Sequence, residues 1–402
     1  MSRARGNFVK RELRGDPTGQ TGAKRRGGTY RAFVPEPVSK LELSLPGSLA
    51  LRLEDASARV RTLNDSTPRL TALEALARQL LRSEALASSR IEGLSVGHRR
   101  IAREDFRAAS DHAVGGHVDS RAADIVGNIR AMERAVEIGS RAKPLSTEDV
   151  LEIHRTLLRF GEDSNIAGKL RTSQGWIGGA NLARAEYVPP PPDEVRRLLE
   201  DVCWFLSRDD IPPLAQAAVG HAQFETVHPF ADGNGRTGRC LIHAVLRRRG
   251  LTSHYVPPIS VLLAARRKEY FGGLTRYRDA DGLNDWLEYF ADVTVDAADE
   301  AVRLAGKLDD LEDGWLRRFS RPPRSDAAVR RVMKMLPAHP VLDARVVQAE
   351  LGISDVAAGN ALNQLDDAGV LQVVTRGVRG RRVWECRDLF DLINKFESDL
   401  TR

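Results

Sequence analysis

The chain of 402 residues contains only three cysteines, and they lie far apart, at Cys203, Cys240 and Cys386. An odd number of isolated cysteines argues against both a disulfide framework and a metal cluster. No apolar run approaches the roughly 18 residues that a membrane-spanning helix needs. The N-terminal stretch MSRARGNFVKRELRGD lacks the apolar core of a secretory signal. These absences predict a soluble protein of a reducing compartment, the cytoplasm.

Positive and negative charges are balanced over most of the chain. The net charge is +6, and residues 1–30 alone hold an excess of six Lys and Arg over Asp and Glu. The rest is therefore balanced, which argues against a nucleic-acid-binding body. A basic, glycine-containing tail is typical of a disordered segment, so we expect residues 1–30 to be disordered.

Apolar residues recur at spacings of three and four, so the chain is predicted to be mainly α. The predicted helices cover 49–92, 118–137, 146–160, 193–207, 213–225, 236–249, 260–276, 283–316 and 325–336. Residues 170–192 contain two short β-like runs around a Gly-Gly turn, which predict a hairpin flap. The last 80 residues show the order helix, helix, helix, hairpin, which is the plan of a winged helix-turn-helix domain.

These elements predict five parts along the chain. After the tail come an N-terminal helical segment over 31–110 and a core over 111–300. A linker helix over 301–321 leads to the winged-helix domain over 322–402.

The stretch HPFADGNGRTGR, residues 228–239, holds most of the candidate chemistry. Gly233, Asn234 and Gly235 open a predicted helix, whose free N–H groups and end dipole favour a phosphate. Arg236 and Arg239 are three residues apart and share a helix face, so both can reach a polyphosphate. Neither a Walker loop nor a dinucleotide-binding fingerprint is present.

Two further residues of this stretch suit phosphate-group transfer. Asp232 is one carboxylate, which together with phosphate oxygens and waters makes a typical Mg²⁺ site. The neutral imidazole of His228 can accept a proton from an attacking hydroxyl. Taken singly, these residues are more often caps, turn residues or solvated cations, and Phe230 is predicted to be structural core. Their combination in this order favours a catalytic site.

The stretch resembles the Fic-domain motif, His-x-Phe-x-(Asp/Glu)-Gly-Asn-Gly-Arg-x-x-Arg, at every defined position. The flap at 170–192, RRKEYFGGL at 266–274 and DGLNDWLEYF at 281–290 also resemble segments of this family, so the similarity extends over roughly residues 30–300. The winged helix is a common companion of such domains. The expected architecture is therefore a helical Fic core with a β-hairpin flap and a C-terminal winged helix.

The resemblance implies a protein adenylyltransferase, which moves AMP from ATP to a Ser, Thr or Tyr hydroxyl of a target protein or of itself. His228 would be the base and Asp232 the Mg²⁺ ligand. The flap at Trp176, Ile177 and Gly178 would hold the target by strand addition. The residues expected to bind ATP are Gly233, Asn234, Gly235, Arg236, Thr237, Gly238, Arg239 and Tyr270.

A second segment, SSRIEG at 88–93, resembles the inhibitory motif of the same family. The motif residues are Ser88, Glu92 and Gly93, and Gly93 is also a natural helix stop. The resemblance implies that Glu92 pairs with Arg239 and keeps the γ-phosphate of ATP out of its productive place. The same glutamate would also serve a rival activity, removal of AMP from a target, and another nucleotide could replace ATP.

The winged helix raises a hypothesis of another class, a DNA-binding regulator with a Fic core as sensor. Residues 352–369, which include the predicted recognition helix, contain three aspartates and neither Lys nor Arg. The wing from Arg376 to Arg382 has four arginines, enough for one phosphate contact. A protein-docking or dimerising role is the favoured alternative, and a homo-oligomer stays open.

Overall fold

The computed structural model describes residues 5–13, 28–65, 73–109, 120–376 and 382–400. These residues are mainly helical, which confirms the predicted fold class. The first eight helices are α1 Gly47–Asp65, α2 Leu73–Ile91, α3 His98–Ala109, α4 Ser120–Ser140, α5 Thr147–Leu158, α6 Pro192–Leu206, α7 Pro213–Val227 and α8 Asn234–Arg248. They are followed by α9 Ile259–Ala265, α10 Arg267–Tyr277, α11 Gly282–Leu316, α12 Ala328–Met335, α13 Ala344–Leu351, α14 Asp355–Asp367 and α15 Arg387–Leu400. The strands are β1 Gly6–Leu13, β2 Gly28–Pro35, β3 Val341–Leu342, β4 Gln372–Arg376 and β5 Arg382–Glu385.

Several helix ends lie where local sequence signals predict them. Ser146 caps α5 through a capping box, in which its hydroxyl accepts from the Asp149 N–H and the Asp149 carboxylate accepts from the Ser146 N–H. The glycine after α2, Gly93, has φ 84°, the left-handed conformation that ends a helix at little cost to glycine.

The N-terminal region differs from the expectation of a disordered tail. Strand β1 pairs antiparallel with β2 along its whole length, with Gly6 opposite Pro35 and Leu13 opposite Gly28. The Phe8 ring contacts the Phe33 ring across the pair at 5.3 Å between centroids. The prediction was wrong for these residues because the partner strand supplies apolar contacts that charge counting alone does not reveal. Residues 1–4 and 14–27 lie outside the described residues.

Two helical predictions also need correction. Helix α3 was not predicted, and the helix predicted over 260–276 is two helices, α9 and α10. The break falls at Arg266, whose backbone leaves the helical region with φ −107° and ψ 42°.

The chain forms two compact units, and each is assembled from three separate stretches of sequence. The first comprises residues 1–56, 131–251 and 267–292, and the second comprises residues 57–130, 252–266 and 293–402. Neighbours in space are therefore distant in sequence, so the units do not follow the linear order of the predicted domains.

Helix α7 is the central element of the first unit. Its residues are buried on every side except at Pro213 and Glu225, as expected for an apolar helix enclosed by others. It packs against α6, α8, α10 and β2. Trp286, on α11, donates its indole N–H to the Ala218 carbonyl of α7 at 2.8 Å. The C-terminal end of this buried helix carries His228, so the core positions the candidate site.

The flap over residues 170–192 is less regular than a paired hairpin. Ile177 and Tyr187 exchange backbone hydrogen bonds of 2.8 and 3.1 Å, and they are the one antiparallel bridge within this described segment. Gly178 and Gly179 follow with φ 68° and 70°, and a short 3₁₀ turn covers Leu182–Arg184. Because Trp176 and Ile177 are exposed, their side chains add little packing to extend the pairing.

The second unit combines N-terminal and C-terminal segments in one apolar cluster. Helix α2 packs against α9, and the buried Glu84 carboxylate accepts from the N–H and the hydroxyl of Ser260. The same cluster includes Leu80, Trp315, Leu362 and Trp384. The C-terminal elements run α12, β3, α13, α14, β4, β5 and α15, with the sheet order β3-β5-β4. The predicted wing tip, residues 377–381, lies outside the described residues.

Across the described ranges, no helix combines the length and the apolar character that crossing a membrane requires.

Candidate active site

The motif predicted from residues 228–239 forms a tight loop between the end of α7 and the start of α8. His228 caps α7, and its N–H donates to the Phe224 carbonyl at 2.9 Å. Its backbone is left-handed, with φ 50° and ψ 62°, which is uncommon and strained for a residue with a side chain. Gly233 precedes α8 with φ 75°, where glycine suffers no such strain.

The side chain of Asn234 closes this loop. Its Oδ1 accepts from the Phe230 N–H at 2.8 Å, and its Nδ2 donates to the Phe230 carbonyl at 2.9 Å. Only an amide offers a donor and an acceptor in this arrangement. The Asn234 side chain therefore fixes the backbone of the predicted phosphate cradle, and both of its polar atoms are used in hydrogen bonds to Phe230.

Arg236 lies in the first turn of α8 with a guanidinium that is only partly paired. Its Nη2 donates to the Asp232 carboxylate at 2.8 Å. Its Nε and Nη1 are buried and have no hydrogen-bond partner among the described residues, and the same holds for the Thr237 hydroxyl. Buried donors without acceptors are costly, so these atoms fit a site that an anion completes.

Asp232 supplies the carboxylate at this site. Its side chain is 53% exposed, whereas the Arg236 side chain beside it is 5% exposed. Within the described part of the chain, no group of three or more His, Cys, Asp or Glu could hold a metal ion. A Mg²⁺ here would thus take one protein carboxylate, with phosphate oxygens and waters as its other ligands, which is the donor set that nucleotide-bound Mg²⁺ prefers.

Arg239, Tyr270 and His221 form a buried group below the cradle. The Tyr270 hydroxyl accepts from Arg239 Nη1 at 3.4 Å and lies 2.9 Å from His221 Nε2. Burial, with Arg239 nearby, lowers the pKa of His221 to about 3, so its imidazole stays neutral. The Tyr270 ring is buried against Trp286, so Tyr270 meets the motif through its hydroxyl. His221 was not predicted, although it lies two helical turns before His228 on the same side of α7.

His154, on α5, supports the middle of the loop and was also missed. Its ring stacks on Phe230, with 3.7 Å between centroids and 2° between planes. Its Nδ1 accepts from the Gly168 N–H at 2.9 Å, so its Nε2 carries the proton and donates to the Asp232 carbonyl at 3.0 Å. Burial lowers the pKa of His154 to about 4. An isolated histidine on an apolar helix face gave no local signal of this role.

Arg171, which begins the flap, contacts the loop of the motif through its guanidinium. Nε donates to the His228 carbonyl at 2.8 Å, and Nη2 donates to the Pro190 carbonyl at 2.5 Å. Burial lowers the pKa of Arg171 to about 10, which leaves it charged at neutral pH. The tertiary structure alone reveals this residue, because the His228 and Pro190 carbonyls that it binds are 57 and 19 positions away in sequence.

The predicted flap residues lie in the same unit as the motif. Trp176 and Ile177 are exposed, and Gly178 is left-handed. The base of the flap is anchored by Tyr187, whose hydroxyl donates to the Thr226 carbonyl of α7 at 2.6 Å. The Arg278 guanidinium stacks on the Tyr187 ring at 3.8 Å.

The predicted inhibitory residues belong to the second unit. Ser88 is buried in α2, and Glu92 is exposed one residue beyond the end of that helix. The Glu92 N–H donates to the Ser89 carbonyl at 3.1 Å, and the left-handed Gly93 follows. The local geometry is thus a helix end that carries an exposed glutamate.

Sequence comparisons show which class of protein this chain resembles. Residues 144–246 match the Fic/DOC family, and residues 50–137 match the N-terminal segment of that family. Over these residues the chain is similar to the Fic/DOC family, which confirms the resemblance seen in the motif over this part of the chain.

Curated relatives carry the name protein adenylyltransferase. The chain is 33% identical over 150 residues to protein adenylyltransferase fic-1 of Caenorhabditis elegans, which covers 37% of this chain and 27% of the relative. It is 29% identical over 163 residues to protein adenylyltransferase Fic of Nematostella vectensis, which covers 39% of this chain and 35% of the relative. The chain thus spans well under half the length of these relatives.

Solved structures show the same fold. A Fic family protein from Desulfovibrio desulfuricans G20 aligns with a TM-score of 0.51 at 20% identity, over 86% of this chain and 97% of that one. A Fic domain containing signaling protein from Bacteroides thetaiotaomicron aligns with a TM-score of 0.50 at 18% identity, over 64% of this chain and 97% of that one.

Proposed function

We propose that this protein is an adenylyltransferase that moves AMP from ATP to a hydroxyl group of a protein. The proposal is carried by two buried guanidinium donors of Arg236, Nε and Nη1, which have no acceptor among the residues that the structure describes. They lie at a helix start beside an exposed carboxylate. A polyphosphate supplies those acceptors. The curated relatives that are named protein adenylyltransferase support the same reaction.

His228 is the proposed base. It takes the proton of a Ser, Thr or Tyr hydroxyl, and the hydroxyl oxygen forms a bond to the α-phosphorus of ATP. The bond from that phosphorus to the oxygen bridging the β-phosphate breaks, and pyrophosphate leaves. The N–H groups at the start of α8 and the guanidinium groups of Arg236 and Arg239 hold the phosphates, because oriented donors stabilise charge in a buried site.

Mg²⁺ would be held by the Asp232 carboxylate together with phosphate oxygens. When bound, it would neutralise charge on the phosphates. The ion pair between Asp232 and Arg236 would then open, because the carboxylate would bind the metal and the guanidinium would donate to the phosphates.

The flap is the proposed docking site for the target chain. Ile177 and Tyr187 pair through their backbones, and the exposed Trp176 precedes them. An extended segment that adds to this short strand gains main-chain hydrogen bonds with little demand on its side chains. Targets, self-modification included, would thus be selected mainly by an accessible extended segment that carries a hydroxyl.

Labelled ATP tests the reaction. A Glu92→Gly variant is incubated with lysate and Mg²⁺, and with ATP labelled at either the α- or the γ-phosphate. Transfer of the α label alone supports AMP transfer, whereas transfer of the γ label alone refutes it in favour of a kinase-like reaction. Label from UTP or GTP but not from ATP would change the nucleotide, and His228→Ala should abolish every transfer. Loss of AMP from a premodified target would establish the reverse activity.

Autoinhibition by Glu92 is part of the proposal. Its carboxylate and the γ-phosphate would compete for the guanidinium of Arg239, since both are anions that accept from the same fork. The exposed position of Glu92 at a left-handed helix end supports a role in contact with other groups rather than in the core of its unit.

Glu92→Gly is the direct test of autoinhibition. We expect AMP transfer to rise at least about tenfold, which corresponds to about 1.4 kcal/mol. Glu42→Gly, the same change at an exposed residue in a loop, is the matched control and should leave the rate unchanged. Equal transfer by wild type and Glu92→Gly would refute autoinhibition by Glu92.

The C-terminal domain is proposed to be a winged helix that docks on protein. Two of its carboxylates lie within ion-pair distance of basic residues near Glu92. Glu397 lies 2.7 Å from Arg90 Nη2 and 2.9 Å from His98 Nε2. Glu385 is fully buried and pairs with Arg99 and with Arg103.

These ion pairs attach the segment around Glu92 to the C-terminal domain, which supports intramolecular docking over DNA binding. Helix α14, the candidate recognition helix, contains neither Lys nor Arg. Deuterium exchange of residues 88–98 should accelerate in Glu397→Gln but not in Asp399→Asn, a control on the same helix. A salt-dependent gel shift on mixed duplexes would instead favour the DNA-binding alternative.

A reducing compartment such as the cytoplasm is the proposed location. All three cysteines are buried, free thiols. Burial raises the pKa of the Cys203 and Cys386 thiols to about 12, so neither is a reactive thiolate.

A further inference from the structure

Arg171 holds three consecutive carbonyl groups around the proposed base. Its guanidinium donates to the Val227 carbonyl at 3.4 Å and to the His228 carbonyl at 2.8 Å. Its backbone N–H donates to the Pro229 carbonyl at 3.0 Å. The peptide planes on both sides of His228 are thus oriented by a single residue.

This orientation matters because the His228 backbone is left-handed. Such a conformation is strained for a residue with a side chain, and it persists only where the surroundings enforce it. The three hydrogen bonds are suited to enforce it, and a cation at the C-terminal end of α7 also meets the favourable end of the helix dipole. The direction of the imidazole follows from this backbone conformation.

The same guanidinium joins both stems of the flap. Nη1 donates to the Ser173 carbonyl at 3.2 Å on the outgoing stem, and Nη2 donates to the Pro190 carbonyl at 2.5 Å on the returning stem. Gln174 adds a bond to the Pro189 carbonyl at 2.8 Å. The base and the flap are therefore bonded to one side chain.

Arginine suits this position for a physical reason. The side chain is 5% exposed, and its guanidinium presents five donors in a rigid plane. Lysine has three donors at one point and could not reach carbonyls on both flap stems and at the helix end together. The partners of the guanidinium are backbone oxygens, so its role is to set backbone geometry.

We propose that Arg171 is a positioning residue that sets the direction of His228 and the placement of the target-docking flap in one step. The inference rests on the proposed AMP transfer. It predicts that loss of Arg171 slows the chemical step and loosens the placement of the flap. The phosphate cradle, built from Gly233 to Arg239, should still bind ATP.

Arg171→Met and Arg171→Lys test this in the Glu92→Gly background. We expect the maximal rate of self-modification with α-labelled ATP to fall about 100-fold or more in Arg171→Met, since misplacement by about 1 Å has that effect. Arg171→Lys should recover part of the rate. The Kd for ATP with Mg²⁺, measured by calorimetry, should stay within about twofold of the parent value, because the change leaves the first-turn donors of α8 in place.

Arg249→Met is the matched control. Arg249 also donates to backbone carbonyls, at Arg208, Asp209 and Ile211, but it lies beyond the far end of α8. Its loss should lower the melting temperature without lowering the rate per folded molecule. Equal losses of rate in Arg171→Met and Arg249→Met would refute the positioning role. A rise in the Kd for ATP of Arg171→Met as large as its loss of rate would also refute it.

Limited proteolysis separates this inference from the proposed reaction. Arg184 is an exposed trypsin site within the flap. Cleavage there should accelerate in Arg171→Met and not in Arg249→Met, whether or not the protein transfers AMP. Unchanged cleavage would overturn the inference, whereas absence of AMP transfer in the Glu92→Gly parent would overturn only the proposed function.

Discussion

Acid should destabilise this protein through His154, and His154→Gln should remove that effect. The imidazole is fully buried, and its Nδ1 accepts a hydrogen bond from the Gly168 N–H. A proton on Nδ1 would break this hydrogen bond, because the N–H groups of His154 and Gly168 would then face each other. Burial accordingly keeps the pKa of His154 at about 4 instead of 6.5.

The sign follows from proton binding in the two states. Between pH 6.5 and pH 4 the unfolded chain protonates this histidine and the folded chain does not, so the free energy of unfolding falls as the pH falls. The full stability is present above pH 6.5. From these two pKa values, the loss is about 2 kcal/mol at pH 5 and about 3 kcal/mol at pH 4.

The assay is urea unfolding at pH 7.5 and pH 5, followed by tryptophan fluorescence. Other groups also titrate in this range, so the quantity of interest is the difference between wild type and variant. The pH-dependent loss should be about 2 kcal/mol smaller in His154→Gln. His254→Gln, the same change at an exposed histidine, should retain the loss of the wild type. Identical pH dependence in wild type and His154→Gln would refute the reasoning.

Three other substitutions should have distinct outcomes. Gly220→Ala should lower the free energy of unfolding by about 1–3 kcal/mol in thermal melts, because the new Cβ would lie 2.1 Å from a methyl of the buried Leu206. Glu385→Ala should cost about 1–3 kcal/mol in the same assay, since it removes a buried carboxylate from its arginines. Asn234→Asp should abolish AMP transfer as well as lower stability, because a carboxylate cannot donate to the Phe230 carbonyl; activity like the wild type would contradict this role.

Local signals in the sequence predicted much of the fold and identified the motif that forms the candidate site. The helix predicted over 146–160 begins with a capping box of Ser146 and Asp149, and Gly93 is left-handed where a helix stop was predicted. Motif residues contiguous in sequence stay close in space, so His228 and Asp232 were recognisable together. Strand β1 was missed because its partner lies beyond a long intervening segment, and pairing over that distance leaves no local pattern.

The sequence by itself determined the helical class and the order of histidine, aspartate, glycines and arginines in the motif, because these depend on neighbours within a few turns of helix. Tertiary structure alone brought His154 and Arg171 to the loop, since their partners are backbone groups 14 to 78 positions away. A carbonyl or an N–H occurs at nearly every residue, so no sequence pattern shows which one a buried side chain will bind. The direction of the His228 imidazole is thus decided by the packing of the fold around the motif.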